Sequence, residues 1–180
     1  MLKKTNKSIW ITILVLLLLV LFRLFSCSEE NNKEISLEIE KLSTNIRRHY
    51  QNKPDFWGLN TQAVLDNKIY PNKMLRNNRL VGLFGAPVSV GRGLNAETIM
   101  PGAKSFDIIY KGLNKKQCLA VATSELKQDV WLGVAGISIG NTEKLQRFSW
   151  DSSTYSLPIK KAQAKRLCGK NSVVIWHFEQ

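Results

Sequence analysis

Residues 9–50, which read IWITILVLLLLVLFRLFSCSEENNKEISLEIEKLSTNIRRHY, decide the fold of this chain. Residues 9–22 form an apolar run in which Thr12 is the only polar side chain. As one helix, residues 9–27 would be roughly 28 Å long, close to the ~30 Å hydrocarbon core of a bilayer. The spacing of apolar residues then becomes helical, so the stretch predicts a membrane helix that continues into an amphipathic one.

The amphipathic part shows one apolar stripe with spacings of four, three, four and four residues. The stripe consists of Ile35, Ile39, Leu42, Ile46 and Tyr50, and the charged residues Glu34, Glu38, Lys41 and Arg48 fall on other faces. Pro54 predicts that the helix ends near residues 52–54, because proline disfavours helical backbone at the preceding residue. We expect one rod of about 40 residues, roughly 60 Å long. A flexible hinge at residues 26–32 is the competing interpretation.

The charges on either side of the apolar run predict its orientation. Lys3, Lys4 and Lys7 precede the run, and Glu29 and Glu30 follow it. The positive-inside rule then keeps the N-terminus in the cytoplasm and exports the rest. We therefore expect a single-pass inner-membrane protein with a periplasmic head. The alternative is a cleaved signal peptide, although no typical small-residue cleavage site follows the run.

The exported part is strongly basic. The whole chain carries a formal net charge of +12, and without Lys3, Lys4, Lys7 and Arg23 there remain 22 basic against 14 acidic residues, or +8. Such a surface favours anionic partners, namely lipopolysaccharide, acidic phospholipid, DNA or an acidic neighbouring subunit. The alternative is a solvated basic surface without a dedicated ligand.

The rest of the chain alternates short helices and strands. The patterns predict helices at 61–66, 114–127 and 158–167, a hairpin at 80–84 and 87–90, and strands at 105–110, 130–139, 148–150 and 172–178. Asn114 and Gln117 have capping-box spacing at the start of the second helix. The fold class is therefore α+β, with a long N-terminal helix packed on a mainly antiparallel sheet. We divide the chain into residues 1–8, a membrane helix at 9–27, an amphipathic helix at 28–52 and a globular head at 53–180.

Three cysteines divide between the two regions. Cys118 and Cys168 form an even pair in the exported head, which predicts a disulfide in an oxidising compartment, with two buried free thiols as the alternative. Cys27 at the membrane edge is a candidate lipidation site, because residues 24–27 read LFSC like a lipoprotein processing site. Against lipidation, Phe25 is bulky and Arg23 interrupts the apolar approach.

The sequence offers little support for catalysis. His49 lies beside the helical stripe and His177 on the last strand, and neither neighbours a cysteine or a carboxylate cluster in the sequence. The chain lacks H-E-x-x-H, G-x-S-x-G, P-loop and C-x-x-C motifs. We therefore expect no enzyme activity, no cofactor, no metal site and no small-molecule substrate.

The order of these features resembles type IV pilins, specifically the type IVb class that includes toxin-coregulated, bundle-forming and conjugative thin-pilus pilins. The long helix at 9–50 looks like the family's N-terminal helix, and residues 61–65 with 69–74 are similar to its αβ-loop. Residues 82–90, GLFGAPVSV, resemble its N-x-F-G-G-x-V-x-V hairpin. The family's strand followed by a Cys-bearing helix resembles residues 106–122. Its second cysteine and last strand resemble Cys168 and residues 173–178.

The resemblance implies a structural subunit that polymerises with other pilins, using inner-membrane assembly machinery, into a cell-surface filament. The helix residues that would make this assembly surface are Ile9, Trp10, Ile13, Leu14, Leu17, Leu18 and Phe22. Family members are cut after a small residue, usually Gly, and carry Glu at the fifth mature position. Here the candidate cleavage lies between Ser8 and Ile9, which puts Ile13 at that position. This departure implies a minor or tip pilin, a divergent major subunit or a membrane-retained relative.

Two functions of other classes compete with the pilin interpretation. A membrane-anchored or lipidated periplasmic binding protein would use the same anchor and stay monomeric. A DNA-binding receptor like those of uptake pseudopili would use the basic head. The sequence leaves open whether conjugation, adhesion, uptake or secretion is served.

Overall fold

A single long helix begins the fold. The computed structural model describes residues 3–93, 104–131 and 133–179, with backbone alone for residues 3–10 and 18–31. Helix α1 spans Lys3–Tyr50, 48 residues or about 72 Å, and its backbone stays helical through residues 26–32. Among the described residues, no helix combines the length and apolar character that crossing a membrane requires.

The head is built on a five-stranded antiparallel sheet. Its strands are β3 (Val88–Arg92), β4 (Ser105–Leu113), β5 (Val134–Gly140), β6 (Leu145–Phe148) and β7 (Ser172–Glu179), in the order β3-β4-β7-β5-β6. The other elements are α2 (Thr61–Asp66), a 3₁₀ turn (Asn72–Met74), a small hairpin of β1 (Leu75–Arg76) and β2 (Arg79–Leu80), α3 (Lys115–Ala122), α4 (Gln128–Trp131) and α5 (Lys161–Leu167). The predicted α+β fold is confirmed.

One hydrophobic core joins α1 to the sheet. The five residues of the predicted α1 stripe are all buried, as their helical spacing requires. Alternate residues of the central strands join them in the core: Phe106, Ile108 and Tyr110 from β4, and Val174, Trp176 and Phe178 from β7. Phe106 stacks on Phe178 with ring centroids 5.1 Å apart. Since β4 and β7 are central strands, the α1 stripe packs across the middle of the sheet.

Tertiary contacts shorten several predicted elements. The capping box at the start of α3 is confirmed: the Gln117 N–H donates to Asn114 Oδ1 and the Asn114 N–H to Gln117 Oε1. The helix nevertheless ends at Ala122 and not at residue 127. The Lys127 N–H leaves the helical pattern and donates to Glu40 of α1 at 2.7 Å. The apolar run predicted as one strand at 130–139 divides into α4 and β5.

The predicted strand at 80–84 is wrong. Only Arg79–Leu80 is a strand, and it pairs with Leu75–Arg76. Residues 82–85 form a tight turn in which the Gly85 N–H donates to the Gly82 carbonyl. Gly82 is required because a Cβ there would lie 2.8 Å from Tyr110 Cε1. The chain closes this turn with a bridge between Val81 and Pro87 and then enters β3.

Candidate functional site

The first described side chains of α1 form an exposed apolar surface. Residues 11–17 read ITILVLL, and the six large apolar side chains among them are 45% to 62% exposed. Ile13, Leu14 and Leu17 of the predicted assembly surface belong to this group. Ile9, Trp10, Leu18 and Phe22, the Ser8 side chain of the candidate cleavage site and the Cys27 side chain lie outside the described side chains. An apolar surface of this kind marks an interface or a membrane contact.

Two buried glutamates of α1 attach the helix to the head. Glu38 Oε2 accepts a hydrogen bond from the Leu83 N–H at 3.0 Å, and Glu40 Oε1 accepts one from the Lys127 N–H at 2.7 Å. The two donors lie in the 82–85 turn and in the segment after α3. Glu38 lies off the apolar stripe, as its position in the sequence predicts. It is nevertheless only 6% exposed, because the 82–85 turn covers it. Both contacts fix α1 against the head, because each satisfies a buried carboxyl oxygen of α1 with a backbone N–H of the head.

The surroundings of Glu38 favour its neutral form. The pKa of Glu38 is raised to about 7, chiefly by burial, since the charged form loses its water, and to a smaller extent by the negative charge of Glu34. The Leu83 N–H and the positive charges of Arg76 and Lys73 oppose this rise. Burial also raises the pKa of Tyr110 well above its ordinary value, with the neighbouring carboxylate as a smaller cause. A titratable group thus lies where α1 meets the head.

A disulfide joins α3 to the end of the domain. Cys118 and Cys168 are bonded, with their Cα atoms 5.6 Å apart and a sequence separation of 50. Both sulfur-bearing side chains are buried. Cys168 directly follows α5 and precedes β7, which is a central strand. The bond therefore holds the last third of the chain on α3.

Three polar side chains meet across the central strands of the sheet. Ser138 Oγ and His177 Nε2 are 2.8 Å apart, and His177 Nδ1 is 2.7 Å from Asp107 Oδ1. The order of hydroxyl, imidazole and carboxylate matches that of a hydrolytic triad. Ser138 is 5% exposed and His177 8% exposed, and they belong to β5 and β7 with Asp107 on β4. The arrangement therefore connects three strands through buried hydrogen bonds.

Removing the Ser138 hydroxyl tests this structural role. Ser138→Ala is expected to lower the free energy of unfolding by about 1 kcal/mol, because the buried His177 Nε2 loses its partner. Chemical denaturation of the purified chain measures the change. Ser89→Ala is the matched control, since the buried Ser89 hydroxyl has no hydrogen-bond partner in the described part of the chain. A loss no larger than that of the control would contradict the role.

Other candidates for chemistry do not converge on a site. His177, which the sequence did not place near a carboxylate cluster, contacts the single carboxylate of Asp107. His49 is 3.3 Å from Lys53 Nζ, and burial with this positive charge lowers its pKa. Within the described residues, no group of three or more His, Cys, Asp or Glu side chains could hold a metal ion. A groove of 720 Å³ lies beside α3, but neither histidine lines it. Its lining includes Leu119, Trp131 and Ile159.

Comparisons with known proteins agree with this architecture. The Bundlin family model matches residues 25–174. The type IVb pilin from Salmonella typhi is similar in structure, with 12% identity, a TM-score of 0.54, and coverage of 86% of this chain and 99% of that one. TcpA, a type IV pilin from the Vibrio cholerae El Tor biotype, aligns with 13% identity, a TM-score of 0.52 and coverage of 82% and 98%. No curated protein matches the sequence.

The family match and the fold lead to one assignment. The matched region includes the amphipathic half of α1, both bonded cysteines and the start of β7. At these low identities the two solved structures show the fold alone, and that fold is the one described above. A family match over most of the chain shows more, because it covers the helix, the sheet and the disulfide together. The chain belongs to the bundlin family and is a type IVb pilin, a structural subunit of a type IV pilus.

Proposed function

We propose that the chain is held in the inner membrane by residues 9–27, with the N-terminus in the cytoplasm and the head in the periplasm, before it enters the filament. The observation that carries the proposal is the exposed apolar surface of residues 11–17. Lys3, Lys4 and Lys7 precede it, which supports the orientation. Assembly machinery of the inner membrane would then move subunits from the bilayer into the growing pilus.

In the filament the same apolar surface packs against the α1 helices of other subunits. Burial of apolar surface stabilises such packing by roughly 25 cal/mol per Å². The buried contacts of Glu38 and Glu40 hold each head on its own helix. Because the head is fixed in this way, the position of a helix in the bundle determines the position of its head on the filament surface. Processing between Ser8 and Ile9 would release the basic leader before assembly.

Leu14→Ala combined with Leu17→Ala tests the packing surface. Alanine keeps the helix apolar enough for the membrane but removes side chains that are 60% and 55% exposed in the subunit. We expect the amount of sheared surface filament to fall at least about tenfold, which is about 1.4 kcal/mol. The membrane fraction should keep the unassembled subunit with its disulfide formed.

The control is Leu145→Ala, which removes an exposed leucine from edge strand β6 of the head. It is expected to leave the filament yield unchanged. Normal yield from the double variant would contradict packing through α1. Recovery of the wild-type subunit in the soluble fraction would contradict the membrane anchor, and it would leave the family assignment in place.

A further inference from the structure

Two segments of the head are basic without any acidic residue. Residues 67–93 contain Lys68, Lys73, Arg76, Arg79 and Arg92 and no Asp or Glu. These 27 consecutive residues thus carry a charge of +5, and residues 152–178 form a second acid-free segment with the same length and the same charge. Lys73 is 3.0 Å from Glu34 of α1 and so is partly neutralised. Within residues 67–93 the excess charge is therefore strongest around the two arginines that follow Lys73, Arg76 and Arg79.

These two arginines lie side by side at the tip of a small hairpin. Arg76 of β1 and Arg79 of β2 are register partners, and Asn77 and Asn78 form the turn between them. The asparagines have φ of 48° and 57°, in the left-handed region that turns of this kind require and asparagine tolerates. All four side chains are exposed. We call residues 76–79 the arginine fork.

The fork is not explained by the stability of the hairpin. Like charges directly opposite each other destabilise an antiparallel pair. The hairpin is held by other contacts, since Leu80 is buried and the Val81 N–H donates to the Met74 carbonyl at 2.9 Å. Within the described residues neither arginine forms an ion pair, although the charge of Arg76 acts on the buried Glu38. Two guanidinium groups are thus kept together, exposed and available to a ligand.

The chemistry of the fork selects phosphate on an extended polymer. Guanidinium groups bind phosphate oxygens through two parallel hydrogen bonds, and the amides of Asn77 and Asn78 add neutral donors. A protruding turn cannot enclose a small anion, so a single phosphate would be bound weakly. A nucleic-acid backbone presents phosphates in series, and its binding adds over several contacts. We propose that the arginine fork docks the phosphate backbone of duplex DNA on the head, a binding role separate from assembly through α1.

The full-length chain in a nonionic detergent, with a fluorescent duplex DNA as the probe, tests this proposal. Arg76→Gln combined with Arg79→Gln is expected to raise Kd at low salt at least about tenfold. The slope of log K against log salt should fall by about two, one for each phosphate contact that is lost. The thermal midpoint should stay unchanged or rise, because a repulsive pair is removed.

Lys160→Gln combined with Lys161→Gln is the control, since it removes the same charge at the start of α5, in the second acid-free segment and outside the fork. It is expected to change Kd less than about twofold. An equal loss of binding in both double variants would overturn the fork as the site and assign binding to the net charge. Failure of the wild-type chain to bind DNA at low salt would overturn the proposal outright, and neither result would affect the pilin assignment.

Discussion

Replacing Cys118 and Cys168 together by alanine is expected to lower the free energy of unfolding by about 4 kcal/mol. The bond closes a loop of 50 residues, and a crosslink over that length removes much of the entropy of the unfolded chain. Small domains have a net stability of about 5–15 kcal/mol, so the loss is a large share. Alanine is the better replacement because serine would leave hydroxyl groups in buried positions.

The location of the disulfide adds to this effect. Cys168 lies between α5 and β7, and β7 pairs with both β4 and β5 at the centre of the sheet. Without the bond, the last strand is held by its ladder, by the core contacts of Val174, Trp176 and Phe178, and by the hydrogen bonds of His177. We therefore expect the variant to be cleaved by proteases near the C-terminus at temperatures at which the wild-type head resists them.

Denaturant unfolding of the full-length chain in nonionic detergent measures the change. The control is Cys27→Ser, which removes the third thiol and is expected to leave the free energy of unfolding unaltered. Reduction of the wild-type chain should reproduce the unfolding curve of the double variant. A loss below about 1 kcal/mol would show that the disulfide contributes little to the head.

Glu38→Gln is expected to stabilise the head by about 2 kcal/mol at pH 8, and by very little at pH 4.5. The folded pKa of Glu38 is about 7 against an ordinary 4.5. Each unit of pKa corresponds to about 1.36 kcal/mol, and screening by solvent reduces the total. The glutamine oxygen can still accept the Leu83 N–H, so the attachment of α1 remains.

The sign of the pH dependence follows from the raised pKa. Below pH 4.5 the carboxyl is protonated in both the folded and the unfolded state, and full stability is present. As the pH rises through 7, the folded state must ionise Glu38 beside Gly82 and Tyr110, and that stability is lost. The glutamine variant stays neutral and keeps it.

Unfolding of both proteins at a series of pH values between 4.5 and 8 checks this expectation. Asp66→Asn makes the same acid-to-amide change on the exposed surface of α2, and it should retain the pH dependence of the wild-type chain. Parallel curves for wild type and Glu38→Gln across the whole range would contradict a buried, neutral Glu38. A variant that is less stable at pH 8 would show that the negative charge itself holds α1 on the head.

Local patterns predicted the parts of the fold that local physics determines. The α1 stripe from Ile35 to Tyr50 is buried as its period requires. Helix α2, the capping box of Asn114 and the last strand also follow from patterns within a few residues. The pairing of the two head cysteines followed from their number and compartment, and the bond is present.

Contacts between residues that are distant in the sequence could not be predicted from local patterns. Glu38 meets Leu83 across 45 residues, and Glu40 meets Lys127 across 87. Their burial depends on how the sheet folds back on α1, which no local period encodes. The same applies to Ser138, His177 and Asp107, since His177 is separated from the other two by 39 and 70 residues.

A signal for the buried triad was nevertheless present in the strands. Asp107 interrupts an apolar strand between Phe106 and Ile108, and His177 lies between Trp176 and Phe178. Strand alternation places each on the face opposite its neighbours, and the register pairs the two residues directly. A polar residue buried within a central strand requires a hydrogen-bond partner, so this pattern predicts that Asp107 and His177 contact each other.

The central claim is that the apolar part of α1 is buried among other α1 helices in the filament. Electron cryomicroscopy of surface filaments sheared from cells that express this chain tests it directly. We expect helices from several subunits packed at the filament axis through residues 11–17, with the heads outside and Cys118 bonded to Cys168. Filaments whose subunits meet only through their heads, with residues 11–17 facing solvent, would contradict it.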